Sequence, residues 1–209
     1  MSTRYNLISG QNLSRLAALS DGIFAVAMTL LVLDLRVPLS SAIQSEQALW
    51  DTLVQLAPRF LTYLMSFLTL GIFWVGQQTQ LNHFARSNRN LAWIHLTFLL
   101  GVTLLPFSTA LLADFITFRL ALIIYWLNLL LLGIMLYWSR SYAQRAELFS
   151  EDTTPEILAV TKRRIVLYQV LYALGALLCL INNYVSIVFI VLLQLNSAIA
   201  PRIWLLDKF

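Results

Sequence analysis

The sequence predicts an all-α membrane protein with six transmembrane helices and both termini in the cytoplasm. Scarce charge, long apolar runs and one-sided placement of Lys and Arg carry that prediction. Of 209 residues, 59% are hydrophobic and only 11% are charged, whereas soluble globular chains are roughly a quarter charged. So few charges cannot cover a soluble surface. The mean hydropathy of +0.75 and the 12% aromatic content agree, because Trp and Tyr collect where hydrocarbon meets headgroup. The single cysteine, Cys179, lies inside an apolar run. It offers no disulfide framework, thiolate cluster or redox pair. A net charge of +4 in a soluble protein would suggest nucleic acid. Here the basic residues sit in the gaps between apolar runs, so they report topology and no nucleic-acid partner is expected.

A bilayer core takes about 20 apolar residues as helix, with a range of roughly 17 to 25. The whole chain, 1–209, reads as one six-helix transmembrane domain with helices at about 15–37, 53–78, 91–113, 119–138, 164–181 and 184–200. The first carries Asp21 and Asp34 and is followed by Pro38. It is too long and too acidic for a signal peptide and lacks a small-residue cleavage site, so it is expected to stay in the mature protein. The second runs back to Leu53 across Pro58, and the third contains Pro106. The fifth ends at Asn182 and Asn183, a pair suited to a tight turn. The sixth is the shortest. With Gln194 and Asn196 near its end it reads as a span, with a tilted, interfacial or re-entrant segment as the alternative. The one sizeable polar stretch, Ser139 to Arg164, predicts a cytoplasmic helical extension capped near Thr154 and Pro155. A lipid-phosphate role for Lys162 to Arg164 is the lesser alternative.

Orientation follows from the basic residues. Arg4, Arg15, Arg86, Arg89, Arg140, Arg145, Lys162, Arg163, Arg164, Arg202 and Lys208 fall on one side, and Arg36, Arg59 and Arg119 on the other. The positive-inside rule puts the richer side, with both termini, in the cytoplasm.

The first helix is the segment in which to seek function. An aspartate within a membrane helix costs several kcal/mol unless it is paired or hydrated, so Asp21 needs a partner. At 100° per residue, Leu19, Val26, Leu30, Leu33 and Val37 form one narrow stripe with Thr29 at its edge, and Asp21 points about 140° away from Val26. Two pictures fit. A lipid-facing stripe leaves Asp21 stitching the helix to its neighbours. A stripe facing a symmetry axis stacks apolar rings around a pore, with Asp21 holding the helix from behind.

The stretch Arg15-xxx-Leu19-Ser20-Asp21-Gly22, continuing through Val26 and Thr29 to Leu33, resembles the Arg-xxx-Phe-Ser-Asp-Gly signature of the prokaryotic branch of the endolysosomal potassium-channel family, the transmembrane protein 175 family. Phe73-Trp74-Val-Gly-Gln77 and Leu91-Ala-Trp93-Ile-His95, with Leu104 to Thr109, match in order and spacing. The specific resemblance covers the first half; beyond Ala113 it rests on helix count and hydropathy. Leu19 stands where the family has Phe, Gln77 where it has His, and His95 where it has Asn.

The resemblance implies a homotetramer in a prokaryotic plasma membrane, with the first helix of each subunit lining a central pore for K⁺ and other monovalent cations and no cofactor. It places the constriction at Val26, further apolar rings at Leu30 and Leu33, and a selectivity layer at Thr29. It implies a helix-packing network of Arg15, Ser20, Asp21, Trp74, Gln77 and His95 with altered partners. The carbonyl-lined Thr-Val-Gly-Tyr-Gly filter is absent from the sequence, and a ring of branched side chains gates by dewetting instead. Val26 is smaller than the Ile or Leu usual there, which implies weaker selectivity or a higher resting leak.

No His-Glu-x-x-His, Gly-x-Ser-x-Gly or phosphate loop is present, so an enzyme is not expected. An ion-coupled secondary transporter using Asp21 is a rival. So is a non-conducting scaffold whose stripe is only an oligomer interface.

Overall fold

The computed structural model describes residues 10–39 and 43–199. Arg4, Arg202, Lys208 and the end of the sixth segment at residue 200 lie outside the described residues. Seven α-helices are present among them: α1 Leu13–Leu31, α2 Glu46–Gln55, α3 Ala57–Asn82, α4 Arg89–Asp114, α5 Arg119–Arg145, α6 Pro155–Leu177 and α7 Asn183–Ile199. Five are long and apolar enough to cross a membrane: α1 with the 3-10 turn that follows it, α3, α4, α5, and α6 with its own 3-10 turn. The chain is therefore an integral, multi-pass membrane protein. At 1.5 Å per residue, the 17 residues of α7 reach about 26 Å, short of a hydrocarbon core of about 30 Å.

Local chemistry accounts for the helix ends. Asn12 caps α1 by accepting from the Arg15 amide at 2.9 Å, and Asn88 caps α4 by accepting from Leu91 at 2.9 Å. Thr154 caps α6 by accepting from Ile157, with Pro155 at the first helical position, where a missing amide proton costs nothing. The helical extension expected from Thr154 is thus present, and α6 starts nine residues before the expected helix start at 164.

Two boundaries differ from the sequence reading. Helicity does not run from Leu53 through Pro58: α2 ends at Gln55, and the Leu56 amide turns back onto Thr52 and Leu53. Pro58 lacks an amide proton and cannot donate back to Val54, so it sits in the first turn of a new helix, where a missing donor costs nothing, instead of continuing the old one. α3 then runs on to Asn82, beyond the expected 78. The first helix stops at Leu31 and tightens into a 3-10 turn, Val32–Asp34, before Leu35 leaves helical geometry. Leu33 therefore sits on a tighter turn and Val37 on no helix at all. The 100° spacing that put both on the stripe holds only as far as Leu30.

α1 lies against α3 and α4, α4 packs along α5, α5 against α6, and α7 fills between α6 and α3. The main core gathers Phe24 and Leu31 of α1 with Met65, Phe98, Val102, Leu122, Leu129 and Ile187, all at most 2% exposed. α4 passes Pro106 without a break. Proline leaves a carbonyl unpaired one turn earlier, and Asn128 of α5 clamps the backbone beside it. Oriented to satisfy both ends of its amide, Asn128 donates to Gly101 at 3.0 Å and accepts from Ser108 and Leu105 at 3.1 Å each.

One end of the bundle carries Arg36, Arg59 and Arg119, where Arg59 bridges Asp34 at 3.6 Å and Asp114 at 2.5 Å. At the other end the α3–α4 loop pairs with the α5–α6 loop. Ala85 donates to Leu148 at 2.9 Å, Ser150 donates to His83 at 2.9 Å, and Phe84 meets Phe149 edge-on. Leu13 and Ala17 of α1 pack onto this second small core.

Candidate pore helix and its anchoring network

α1 has two unlike faces. Ser20, Phe24, Ala27 and Leu31 recur at helical spacing and are buried against α3 and α4. Leu19, Val26, Leu30 and Leu33 point out of the chain, at 43, 57, 46 and 69% exposed. Large aliphatic side chains so exposed along one helix mark a surface that meets lipid, another chain or a pore. Thr29 is exposed beside them, with its hydroxyl donating to the Val26 carbonyl at 2.8 Å. The exposed stripe forms one wall of an open apolar cleft of about 400 Å³, whose far wall includes Thr103 and Pro106 of α4.

The buried face is pinned by a polar triad. The Ser20 Oγ lies 2.6 Å from His95 Nε2 and accepts from Gln77 Nε2 at 3.1 Å, while donating to the Leu16 carbonyl at 2.9 Å. Since the single Ser20 proton goes to Leu16, the consistent tautomer has His95 Nε2–H donating to Ser20. Gln77 Nε2 and His95 Nε2 are 3.3 Å apart and are then two donors converging on one oxygen. All three residues are at most 4% exposed, so the triad is closed off from bulk solvent.

Asp21 belongs to a second group, on the flank of α1 and exposed. Its Oδ1 accepts from Trp74 Nε1 at 2.8 Å and Gln78 Nε2 at 2.5 Å. Trp74 and Gln78 are four apart on α3 and so share a face. Of the six residues in the expected network, Ser20, Gln77 and His95 form one cluster and Asp21 and Trp74 the other. Arg15 joins neither: its amide serves the α1 cap, and its guanidinium makes no hydrogen bond or ion pair to a described residue. Gln78 was missed by sequence reading. Its signal was the four-residue spacing from Trp74 on the face that Asp21 faces.

A third polar group lies deeper, between α3, α4, α5 and α7. Gln194 donates to Thr69 at 2.7 Å, Thr69 pairs with Tyr125 at 2.9 Å, and Thr109 donates to Ser66 at 2.6 Å. These bonds tie α7 into the bundle through its polar residues. Among the described residues no group of three or more His, Cys, Asp and Glu is placed to hold a metal ion.

Residues 15–106 match the model of the family described as endosomal/lysosomal potassium channel TMEM175. Over 102 residues the chain is 38% identical to a potassium channel of Streptomyces collinus, covering 49% of this chain and 48% of that one. It is 36% identical over 102 residues to a potassium channel of Chamaesiphon minutus, covering 49% and 50%. The matches thus span about half the length of these bacterial relatives. The endosomal/lysosomal proton channel TMEM175 of Rattus norvegicus is 24% identical over 211 residues, which take in 95% of this chain and 41% of that protein. In fold, the chain is similar to the crystal structure of a lysosomal potassium-selective channel TMEM175 homolog from Chamaesiphon minutus. The TM-score is 0.77 at 26% identity, covering 91% of this chain and 98% of that one. By sequence through its first half, and by fold along nearly its whole length, the chain is similar to the ion channels of the TMEM175 family.

Proposed function

We propose that the chain is the subunit of a potassium-permeable cation channel of a prokaryotic plasma membrane, a homotetramer in which α1 of each copy lines a central pore. The observation that carries this reading is the division of α1. One face is locked to α3 and α4 through Ser20, Phe24, Ala27 and Leu31, while Val26 and Leu30 stand exposed on the other and Leu33 stands exposed on the 3-10 turn beyond. Four such helices around an axis stack apolar rings that an ion passes only when the ring widens or wets. Val26 forms the narrowest ring, Leu30 and Leu33 form further rings beyond it, and Thr29 adds a hydroxyl layer bearing on selectivity. With valine at the narrowest ring, the pore is expected to leak more at rest than one ringed by isoleucine. Six spans, with α7 as the sixth and both termini cytoplasmic, complete the picture.

A second reading attaches to Asp21, an exposed carboxylate on an apolar helix and a natural binding point for a coupling ion in a secondary transporter. Protein in potassium-loaded liposomes separates the readings. Passive K⁺ flux, compared with Na⁺ and independent of a proton gradient, supports the channel. Flux that strictly requires a proton or sodium gradient supports the transporter, and no flux under any gradient leaves a scaffold.

A further inference from the structure

We infer that a single internal water molecule sits between Gln77 and Gln80 of α3 and carries the Ser20 hydrogen-bond network on to Ser139 of α5. Where α3, α4 and α5 meet, the packing leaves a cavity of about 10 Å³ whose wall includes Gln77, Gln80, His95 and Ser139 together with apolar Phe98 and Met135. That volume is about what one water needs. It is too small for two.

The polar lining calls for a donor. Gln77 is 1% exposed and Gln80 5%, and the side-chain carbonyl oxygens of both are buried without a hydrogen-bond partner. Two such acceptors are costly inside a membrane bundle, where bulk water is not at hand. Gln77 and Gln80 are three residues apart on one helix, so their side chains share a face. Nothing else on the wall offers them two protons: Phe98 and Met135 have none, and His95 Nε2–H is committed to Ser20. A water has two. It donates one to each amide oxygen and accepts from the hydroxyl of Ser139, which is 6% exposed. Three partners are what a buried water typically has. A potassium ion in the same place would have three neutral oxygens against the full shell it sheds.

The chemistry also limits what this water does. From α1 the network reads Ser20 Oγ, Gln77 amide and water, and at the water it branches to the Gln80 amide and to the Ser139 hydroxyl. The Gln77 amide stands between the water and Ser20, and its carbonyl accepts a proton without passing one on. The water is therefore a positioning element that ties the buried face of α1 to α5 through α3, and not a step in a proton wire. Gln80, between Gln78 on the Asp21 side and Leu81 in the second core, thus acquires a role of its own.

The test is a structure of the intact protein in lipid, at a resolution that shows ordered water, with a parallel crystal soaked in thallium(I) acetate. The expected result is one peak within hydrogen-bond distance of both Gln77 Oε1 and Gln80 Oε1 and no thallium signal there. An anomalous peak at that position makes it a cation site and overturns the inference; so does a cavity without density, or a Gln80 amide turned to a protein donor. In solution, Gln80→Leu and Ser139→Ala, which share no direct hydrogen bond, are expected to lower Tm by less together than the sum of the two separate shifts. Strict additivity argues against the water. Gln80→Met, which fills the cavity without a branched side chain, provides the same comparison should Gln80→Leu not fold.

Discussion

Replacing Ser20 by alanine removes one oxygen from a fully buried site and strands two donors. His95 Nε2 at 2.6 Å and Gln77 Nε2 at 3.1 Å lose their shared acceptor, while the Leu16 carbonyl keeps its helical partner. In a soluble core each stranded donor would cost about 1–3 kcal/mol. In a bilayer the reference state is separated helices that find other partners, and interhelical bonds there average about 0.6 and reach about 1.7 kcal/mol. The membrane figure is the relevant one. Two bonds then predict a loss of about 1–3 kcal/mol, with no appreciable cavity cost because a single atom is removed. Reversible unfolding in mixed lipid–SDS micelles reads this directly. The same substitution in a His95→Ala background should cost only about half as much, since the two residues share one interaction. A Ser20→Ala loss under about 0.5 kcal/mol, below the average for even one interhelical bond, or full additivity with His95→Ala, would refute the argument that this triad anchors α1.

The other features lead to separate outcomes. Asp21 uses only Oδ1 toward Trp74 and Gln78, an acceptor that asparagine retains. Asp21→Asn should therefore keep both folding and K⁺ flux in liposomes, and loss of flux with normal stability would show that the charge itself is required. Arg59, Asp34 and Asp114 are 33, 24 and 47% exposed in their side chains, and exposed ion pairs contribute about 0–1 kcal/mol. Arg59→Gln should destabilise by no more than about that, and less at high salt; a large, salt-independent loss in the same unfolding assay would contradict it. A Cβ at Gly133 would lie 1.9 Å from Gln169 Nε2, which itself donates to the Leu129 carbonyl at 3.3 Å. Gly133→Ala is thus expected to displace Gln169 and cost about 1–3 kcal/mol by overpacking the α5–α6 contact. Wild-type stability would show that Gln169 moves aside freely.

Features written in consecutive residues were legible in the sequence. The Thr154–Pro155 start of α6 needs only a capping hydroxyl and a proline at the first turn, both local. Five of the apolar runs became membrane-length helices because each has enough carbons to satisfy the bilayer on its own. What failed depended on geometry between elements or on competing local rules. Pro58 was absorbed into a span because its neighbours are apolar, although a proline begins helices more readily than it continues them. The stripe on α1 was extended to Val37 on the assumption of a uniform 100° step, which the 3-10 turn at Val32–Asp34 breaks. Arg59 meets Asp34 and Asp114 only after three helix ends converge, so no spacing announced the clasp.

The same distinction runs through the candidate site. Ser20, Gln77 and His95 were selected together, and the fold brings them within 3.3 Å of one another. The resemblance groups Asp21 with them. One residue further along a helix is a rotation of about 100°, enough to move it from the buried triad to the exposed flank with Trp74 and Gln78. Hydropathy alone also cannot tell a stripe facing lipid from one facing an axis, since both are apolar.

That last ambiguity is the central one, and one thiol resolves it. Cys179 is the only native cysteine and is buried at 4% exposure, so Val26→Cys in a Cys179→Ala background puts a single reactive sulfur on the exposed face of α1. K⁺ flux through this protein in liposomes, measured before and after silver ion is added, is predicted to be blocked by silver, with Cys179→Ala alone unaffected. Undiminished flux through channels whose introduced thiol has demonstrably reacted would place Val26 away from the ion path and contradict the pore assigned to α1.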